Sequence, residues 1–208
     1  MNVLSPFERS HLSTDGHINL AKRLKNPEDV QRWTRALREW QAPGTCLRVH
    51  LEHNDLTEEQ AADILNAIGG NVQAVYLHHN RIRSLQTLTS FLHKHSRTLL
   101  ELHLSHNQLC TLEAEALLLQ IVEPAVHSSN HAPSSICSWV RLEFNCIDVK
   151  KLTDRLPTSI TRRLQVDDNG CTPTRCCCEN RRQNQRIHTK FLPLQYTVMP
   201  DTEDIDDQ

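Results

Sequence analysis

Two groups of residues in this sequence have the types and spacing for chemistry. The first is the run CTPTRCCCENRRQNQRIH, where four thiols fall within eight positions and a histidine follows ten residues after the last of them. Thiolates and an imidazole at such close range suit a tetrahedral zinc site, with Cys171, Cys176, Cys178 and His188 as the preferred four. The tight C-x-C spacing departs from common zinc fingers, and the alternative is a carboxy-terminal cap whose cysteines serve as small buried apolar residues. Arg175, Arg181, Arg182, Arg186 and Lys190 make the same segment basic. A zinc-ordered basic knuckle would suit phosphate contacts with RNA, whereas a solvated basic face is the plainer alternative.

The second group is a set of histidines that recurs in HLEHN (His50–Asn54), YLHHN (Tyr76–Asn80) and HLSHN (His103–Asn107). Imidazoles brought together in register would repel one another when protonated. The set is therefore a candidate pH-sensitive binding surface or a site for zinc, beside the plainer alternative of polar residues at exposed strand positions.

What positions these histidines is a repeat. Cys46, Val49, Leu51, Asn54 and Leu56 fall in the frame L-x-x-L-x-L-x-x-N-x-L. Val72, Val75, Leu77, Asn80 and Ile82 repeat it 26 residues later, and Leu99, Leu102, Leu104, Asn107 and Leu109 after a further 27. Cys137, Val140, Leu142, Asn145 and Ile147 make a fourth copy, and Thr161, Leu164, Val166, Asn169 and Cys171 an imperfect fifth. The apolar fourth and sixth places point into a core from a short strand, while the fifth and seventh point to the opposite face. The asparagine can bond main chain turned inward at the bend that follows.

A period of 26 to 27 leaves room for a helix between strands. LTEEQAADILNAIGG supplies one: Thr57 and Gln60 form a capping-box pattern, Ala61, Ile64, Leu65 and Ile68 share a face, and Gly69 and Gly70 end it. LQTLTSFLHKH and LEAEALLLQIV give two more with weaker caps. The frame over residues 45 to 171 resembles the leucine-rich-repeat family in its ribonuclease-inhibitor style. That resemblance implies an α/β solenoid, a horseshoe with a parallel sheet on the concave face and helices on the convex face. A fainter likeness joins the repeats, the WVRLEFNCI strand and the Cys/His-rich run to protist leucine-rich-repeat proteins that carry these ahead of a PIN-type ribonuclease domain. The acids of such a nuclease have no counterparts here, so this likeness implies at most an association with RNA metabolism.

The expected organisation is a flexible amino-terminal segment over 1–27, a capping helix and linker over 28–44, and about four to five repeats over 45–170. A basic Cys/His-rich segment over 171–192 and an acidic disordered tail over 193–208 complete it. Val30, Trp33, Leu37 and Trp40 lie on one face of the capping helix, whose role is to cover an end that no neighbouring repeat covers. Between the third and fourth copies the spacing grows to 38, so a loop is expected near EPAVHSSNHAPSSI.

With 208 residues and 38% hydrophobic content, the chain can bury a real core. Its longest apolar-rich run, Leu112 to Val122, contains two glutamates and falls short of the roughly 18 residues a spanning helix needs. No secretory pattern is evident in MNVLSPFERSHL, so the eight cysteines are expected to be reduced in the cytoplasm or nucleus. The net charge of −2 hides an asymmetry: Lys150 to Leu192 holds ten basic and four acidic residues, and Asp201 to Gln208 five acids and no base.

Only five glycines occur, and neither a phosphate-binding loop nor G-x-S-x-G nor H-E-x-x-H can be written. The sequence therefore points away from an enzyme with a small-molecule substrate and toward a recognition module. Its concave face would offer Arg48, His50, Glu52, Tyr76, His78, Glu101, His103, Trp139, Arg141 and Glu143 to a protein partner, with Tyr76 and Trp139 as anchors.

Overall fold

The computed structural model describes residues 12, 15–40, 47–127, 137, 139–161, 164–167 and 190–192, of which 121–127, 165–167 and 190–192 as backbone. Along the chain come β1 (His17–Asn19), α1 (Pro27–Glu39), β2 (Leu47–His50), α2 (Glu58–Ala67) and β3 (Val72–Tyr76). A 3-10 turn at Gln86–Leu88 leads into α3 (Thr89–Lys94), then β4 (Glu101–His103), α4 (Thr111–His127) and β5 (Trp139–Arg141). The last elements are α5 (Val149–Arg155), α6 (Thr158–Thr161), β6 (Gln165–Asp167) and β7 (Lys190–Leu192).

The fold is α/β, with β1 to β5 forming a parallel sheet in sequence order. Pairing follows the repeated frame: Val49 faces Val75, Val75 faces Leu102, and Leu102 faces Val140. These four, with Leu51, Leu77, Leu104 and Leu142 in the sixth place, are at most 3% exposed and share one core with the helices. Neighbouring strands set these residues opposite one another, so the core extends along the sheet from copy to copy.

Beyond each strand the chain bends, and the asparagine of the frame satisfies the main chain there. Asn80 donates from Nδ2 to the carbonyls of Leu77 (2.9 Å) and Leu51 (3.0 Å), and its Oδ1 accepts from Leu56 N (2.9 Å). Asn107 and Asn145 repeat the pattern onto the preceding copy, accepting from Ile82 N and Leu109 N. All three are at most 5% exposed, so each bonds groups that water does not reach.

Helix termini follow their local signals. Asn26 caps α1 through Asp29 N at 2.8 Å with Pro27 next to it, and Val30, Trp33 and Leu37 bury the expected face. Both halves of the Thr57 and Gln60 capping box form at α2. Gly70, at φ 85°, takes the left-handed turn into β3.

At its two ends the sheet differs from the sequence expectation. The segment expected to be flexible, 1–27, contributes β1, whose Ile18 pairs with Val49 and is fully buried. At the other end the imperfect fifth copy adds no strand to the parallel sheet. Its β6 pairs antiparallel with β7, which also approaches β5. The frame is thus filled one copy earlier than its asparagines suggest: Arg23 stands in the asparagine place of the β1 copy and takes the other side of the bond, its backbone N–H donating to Asn54 Oδ1 at 2.7 Å.

Candidate functional site

The sheet face opposite the helices carries three rows of side chains, set by the fifth, seventh and eighth places of the frame. In the fifth-place row, His50 stacks on Tyr76 (4.6 Å between centroids), and Tyr76 meets His103 edge-on (4.7 Å). Third-place residues extend this row at both ends: His17 lies 5.8 Å from His50, and Trp139 lies 5.6 Å from His103. Five rings on five strands therefore make one unbroken aromatic path, with Trp139 37% exposed at its end.

A polar bridge crosses the path. Tyr76 donates its hydroxyl to Glu101 Oε2 (2.7 Å) and accepts from Arg48 Nη1 (3.2 Å), and Arg48 and Glu101 approach to 3.7 Å. These two residues sit two strands apart on either side of Ala74, whose small, buried side chain leaves the space between them open. Burial and the neighbouring Glu101 carboxylate push the Tyr76 phenol up from its ordinary value.

The eighth-place row comprises His53, His79, His106 and Phe144, with centroids 4.2, 3.9 and 4.2 Å apart and planes within 19°. Each of the four has a left-handed backbone, with φ between 54° and 58°. Histidine tolerates this region better than most non-glycine residues. Each histidine N–H also continues the parallel hydrogen bonding into the bend: His53 donates to His78 O (3.1 Å), His79 to Ser105 O (3.1 Å) and His106 to Glu143 O (3.0 Å). Strand pairing thus brings the residues into register, and the bend aims their rings along one column.

Between the two ring rows runs the seventh-place row, Glu52, His78, Ser105 and Glu143. His78 lies 6.4 Å from His103 on one side and 5.6 Å from His53 on the other, so the row is a trough walled by rings. Its carboxylates are held within their own strands: His50 meets Glu52 Oε1 at 3.3 Å, and Arg141 donates from Nε and Nη2 to Glu143 Oε1. Glu52 Oε2, His78 Nδ1, His103 Nε2 and Glu143 Oε2 are buried without a hydrogen-bond partner. Burial lowers the pKa of His78, and it lowers those of His103 and His106 to about 4, with Arg141 and His79 respectively the next causes. Burial raises the Glu52 carboxyl, but its bonds from His50 and the backbone outweigh that and hold it below the usual range.

The ten residues expected at a partner surface are thus brought to one face, with unequal access. Trp139 is exposed, and Arg48, His50, Glu52, Tyr76, His78, Glu101 and Arg141 are half-buried. His103, at 9% exposure and packed against Tyr76 and Trp139, and Glu143, at 2% and bonded by Arg141, are buried, so they support the surface more than they present themselves on it. Sequence reasoning named the histidine column but not Lys22 and Phe144, which hold the same eighth place with φ of 59° and 58°. Counting back from Asn145 would have found Phe144.

Cys171, Cys176, Cys178 and His188, proposed as zinc ligands, lie outside the described residues, as do Arg175, Arg181, Arg182 and Arg186; Lys190 is placed as backbone in β7. Among the described residues, no group of three or more His, Cys, Asp or Glu is arranged to hold a metal ion, and no helix is long and apolar enough to cross a membrane. Comparison with protein-family models, with curated proteins and with solved structures finds no match to this chain.

Proposed function

We propose that this chain is a non-catalytic recognition module, a leucine-rich-repeat solenoid that binds a protein partner on the face of its parallel sheet. The observation that carries this reading is the aromatic path from His17 to Trp139 crossing all five strands and ending on an exposed indole. Large, rigid aromatic side chains lose little entropy on binding and dominate interface energies. The bridge of Arg48, Tyr76 and Glu101 fixes the central ring before a partner arrives, which reduces the ordering cost of association. The repeated register supports the solenoid reading, since from β2 to β5 the third, fourth and fifth places of the frame pair with the same places of the next strand.

The test is affinity capture from a cell extract with the full chain and with Tyr76→Ala and Trp139→Ala, each first checked for an unchanged melting transition. A partner retained at high salt by the parent chain and lost with both variants supports the reading; each truncation should cost on the order of 2 kcal/mol or more. Capture indifferent to both substitutions sinks it. Capture of RNA that weakens steeply with salt and disappears on deleting residues 171–190 would transfer function to the basic segment.

A further inference from the structure

The eighth-place ring column ends at His53, although the strand register does not. Lys22 occupies the same place in the β1 copy, with φ 59° against 58° for His53 and the equivalent backbone bond, its N–H donating to Glu52 O at 3.0 Å. The next slot of the column therefore exists in the backbone but holds an aliphatic chain with a terminal ammonium where the slots of the β2 to β5 copies hold a ring. At this point the surface opens into a cavity of about 520 Å³, lined by Lys22, Leu24, Lys25, His53, Asn54, Asp55 and the edge of the column at His79. That volume falls within the roughly 300–1,000 Å³ typical of small-molecule sites.

The lining has a definite chemical bias. Lys22 and Lys25 are exposed cations on one wall. The only carboxylate among the described lining residues, Asp55, is ion-paired with Arg81 at 3.0 Å. Asn54 contributes no free group: its Oδ1 accepts from Arg23 N and Leu24 N, and its Nδ2 donates to the carbonyls of Leu20 and Leu51. Leu24, 2% exposed, closes the apolar side, and His53, exposed and stacked on His79 at 4.2 Å, presents the end of the column.

From these features we infer that the cavity binds a small planar aromatic anion of the nucleoside-monophosphate kind, its ring completing the column on His53 and its phosphate held by Lys22 and Lys25. Stacking of a base on an aromatic side chain is worth about 1–3 kcal/mol, and a charge-assisted bond to an ammonium adds direction as well as affinity. The site is proposed for binding alone. It lies at the β1 end of the sheet in the eighth-place row, outside the aromatic path, and its test requires no protein partner.

Titration calorimetry of the full chain with AMP, adenosine and inorganic phosphate tests the inference, together with imidazole resonances followed by NMR. AMP should bind, shift the His53 and His79 signals, and exceed both adenosine and phosphate by roughly tenfold, since each of those keeps only half of the contacts. His53→Asn removes the ring while keeping a residue that accepts a positive φ. The Lys22→Gln, Lys25→Gln pair removes the charge at exposed positions, where folding is least at risk. Each should weaken AMP roughly tenfold without changing the melting transition. Phosphate binding as well as AMP would make this a simple anion site and overturn the stacking; AMP binding unchanged in the lysine variant would overturn the charge contact. No heat and no imidazole shift at about 10 mM AMP would overturn the site as a whole.

Discussion

Asn145 donates from Nδ2 to the carbonyl of Leu104 at 2.9 Å although the two residues stand 41 positions apart. The equivalent bond of Asn107 to Leu77 spans 30, so the longer connection before β5 is absorbed outside the ladder and the asparagine register is unchanged. Its Oδ1 accepts from Leu109 N at 3.0 Å and its Nδ2 also reaches Leu142 O at 3.0 Å, with the residue fully buried. Asn145→Ala takes the bonds of Leu109 N and Leu142 O away, at about 1–3 kcal/mol each before relaxation, while Leu104 O keeps its bond from Asn107 Nδ2 at 3.1 Å. We expect it to cost several kcal/mol in urea unfolding. Asn145→Asp keeps the acceptor but sets a buried carboxylate against two carbonyls, so it should cost at least as much; a loss under about 1 kcal/mol for either would show that the ladder does not hold β5.

The eighth-place histidines are held by backbone as well as by stacking, and substitution separates the two. His79, at φ 57°, is stacked on both sides. His79→Gly relieves the left-handed strain while losing the ring, so the two effects oppose and the net change should stay within about 1 kcal/mol. His79→Val also loses the ring and places a β-branched residue where it is a genuine outlier, so it should be the worse of the two by roughly 1–2 kcal/mol. Equal destabilisation by glycine and valine, measured by chemical unfolding, would assign the column's stability to stacking alone.

Much of this was legible because the frame states it directly. The asparagines, the alternating Val and Leu pairs and the Thr57/Gln60 box each specify a local geometry that packing does not alter. The β1 copy was hidden because Arg23 stands where the asparagine should, although Ile18 and Leu20 keep the alternation. Burial of Glu143 was hidden for a different reason. Alternation assigns it to the outer face of a flat strand, and how much water that face retains is set by packing that alternation does not encode, including the Arg141 guanidinium that bonds its carboxylate. The cavity at Lys22 is likewise defined by a missing ring, which becomes visible only once the copies are stacked.

Acid should destabilise the fold through two buried imidazoles, one in the core and one on the sheet face, that burial keeps neutral. His95 is 2% exposed, packs on Phe91 at 4.6 Å, and accepts at Nδ1 from Val72 N at 3.4 Å. Burial, followed by the Lys94 charge, lowers its pKa to about 4, and burial does the same for His103. A base whose folded pKa lies below its unfolded value near 6.5 contributes its full stability above that value and loses it as pH falls from 6.5 toward 4. At pH 5 the loss is about 2 kcal/mol per residue, on the order of 5 °C in melting temperature for a chain of this size. His95→Leu should lower stability at pH 7, because Val72 N loses its acceptor, yet flatten the decline between pH 6.5 and 4. An undiminished slope in that variant would place the acid sensitivity elsewhere.

Thiol chemistry gives the last test, because the described cysteines occupy different environments. Cys110 is exposed, whereas Cys137 fills a leucine place of the frame at 2% exposure. Burial pushes the Cys137 thiol up to about 12, so its thiolate, the reactive form, is negligible at neutral pH even before access is considered. A short pulse of iodoacetamide on the native protein, read by peptide mass spectrometry, should alkylate Cys110 readily and leave Cys137 untouched until denaturant is added. The two sites thus report different events: modification of Cys110 follows the surface, while modification of Cys137 follows opening of the core beneath β5. Labelling of Cys137 should therefore rise in parallel with destabilisation by Asn145→Ala. If Cys137 reacts at the rate of Cys110 in the folded parent chain, its side chain does not occupy the core place that the repeated frame assigns to it.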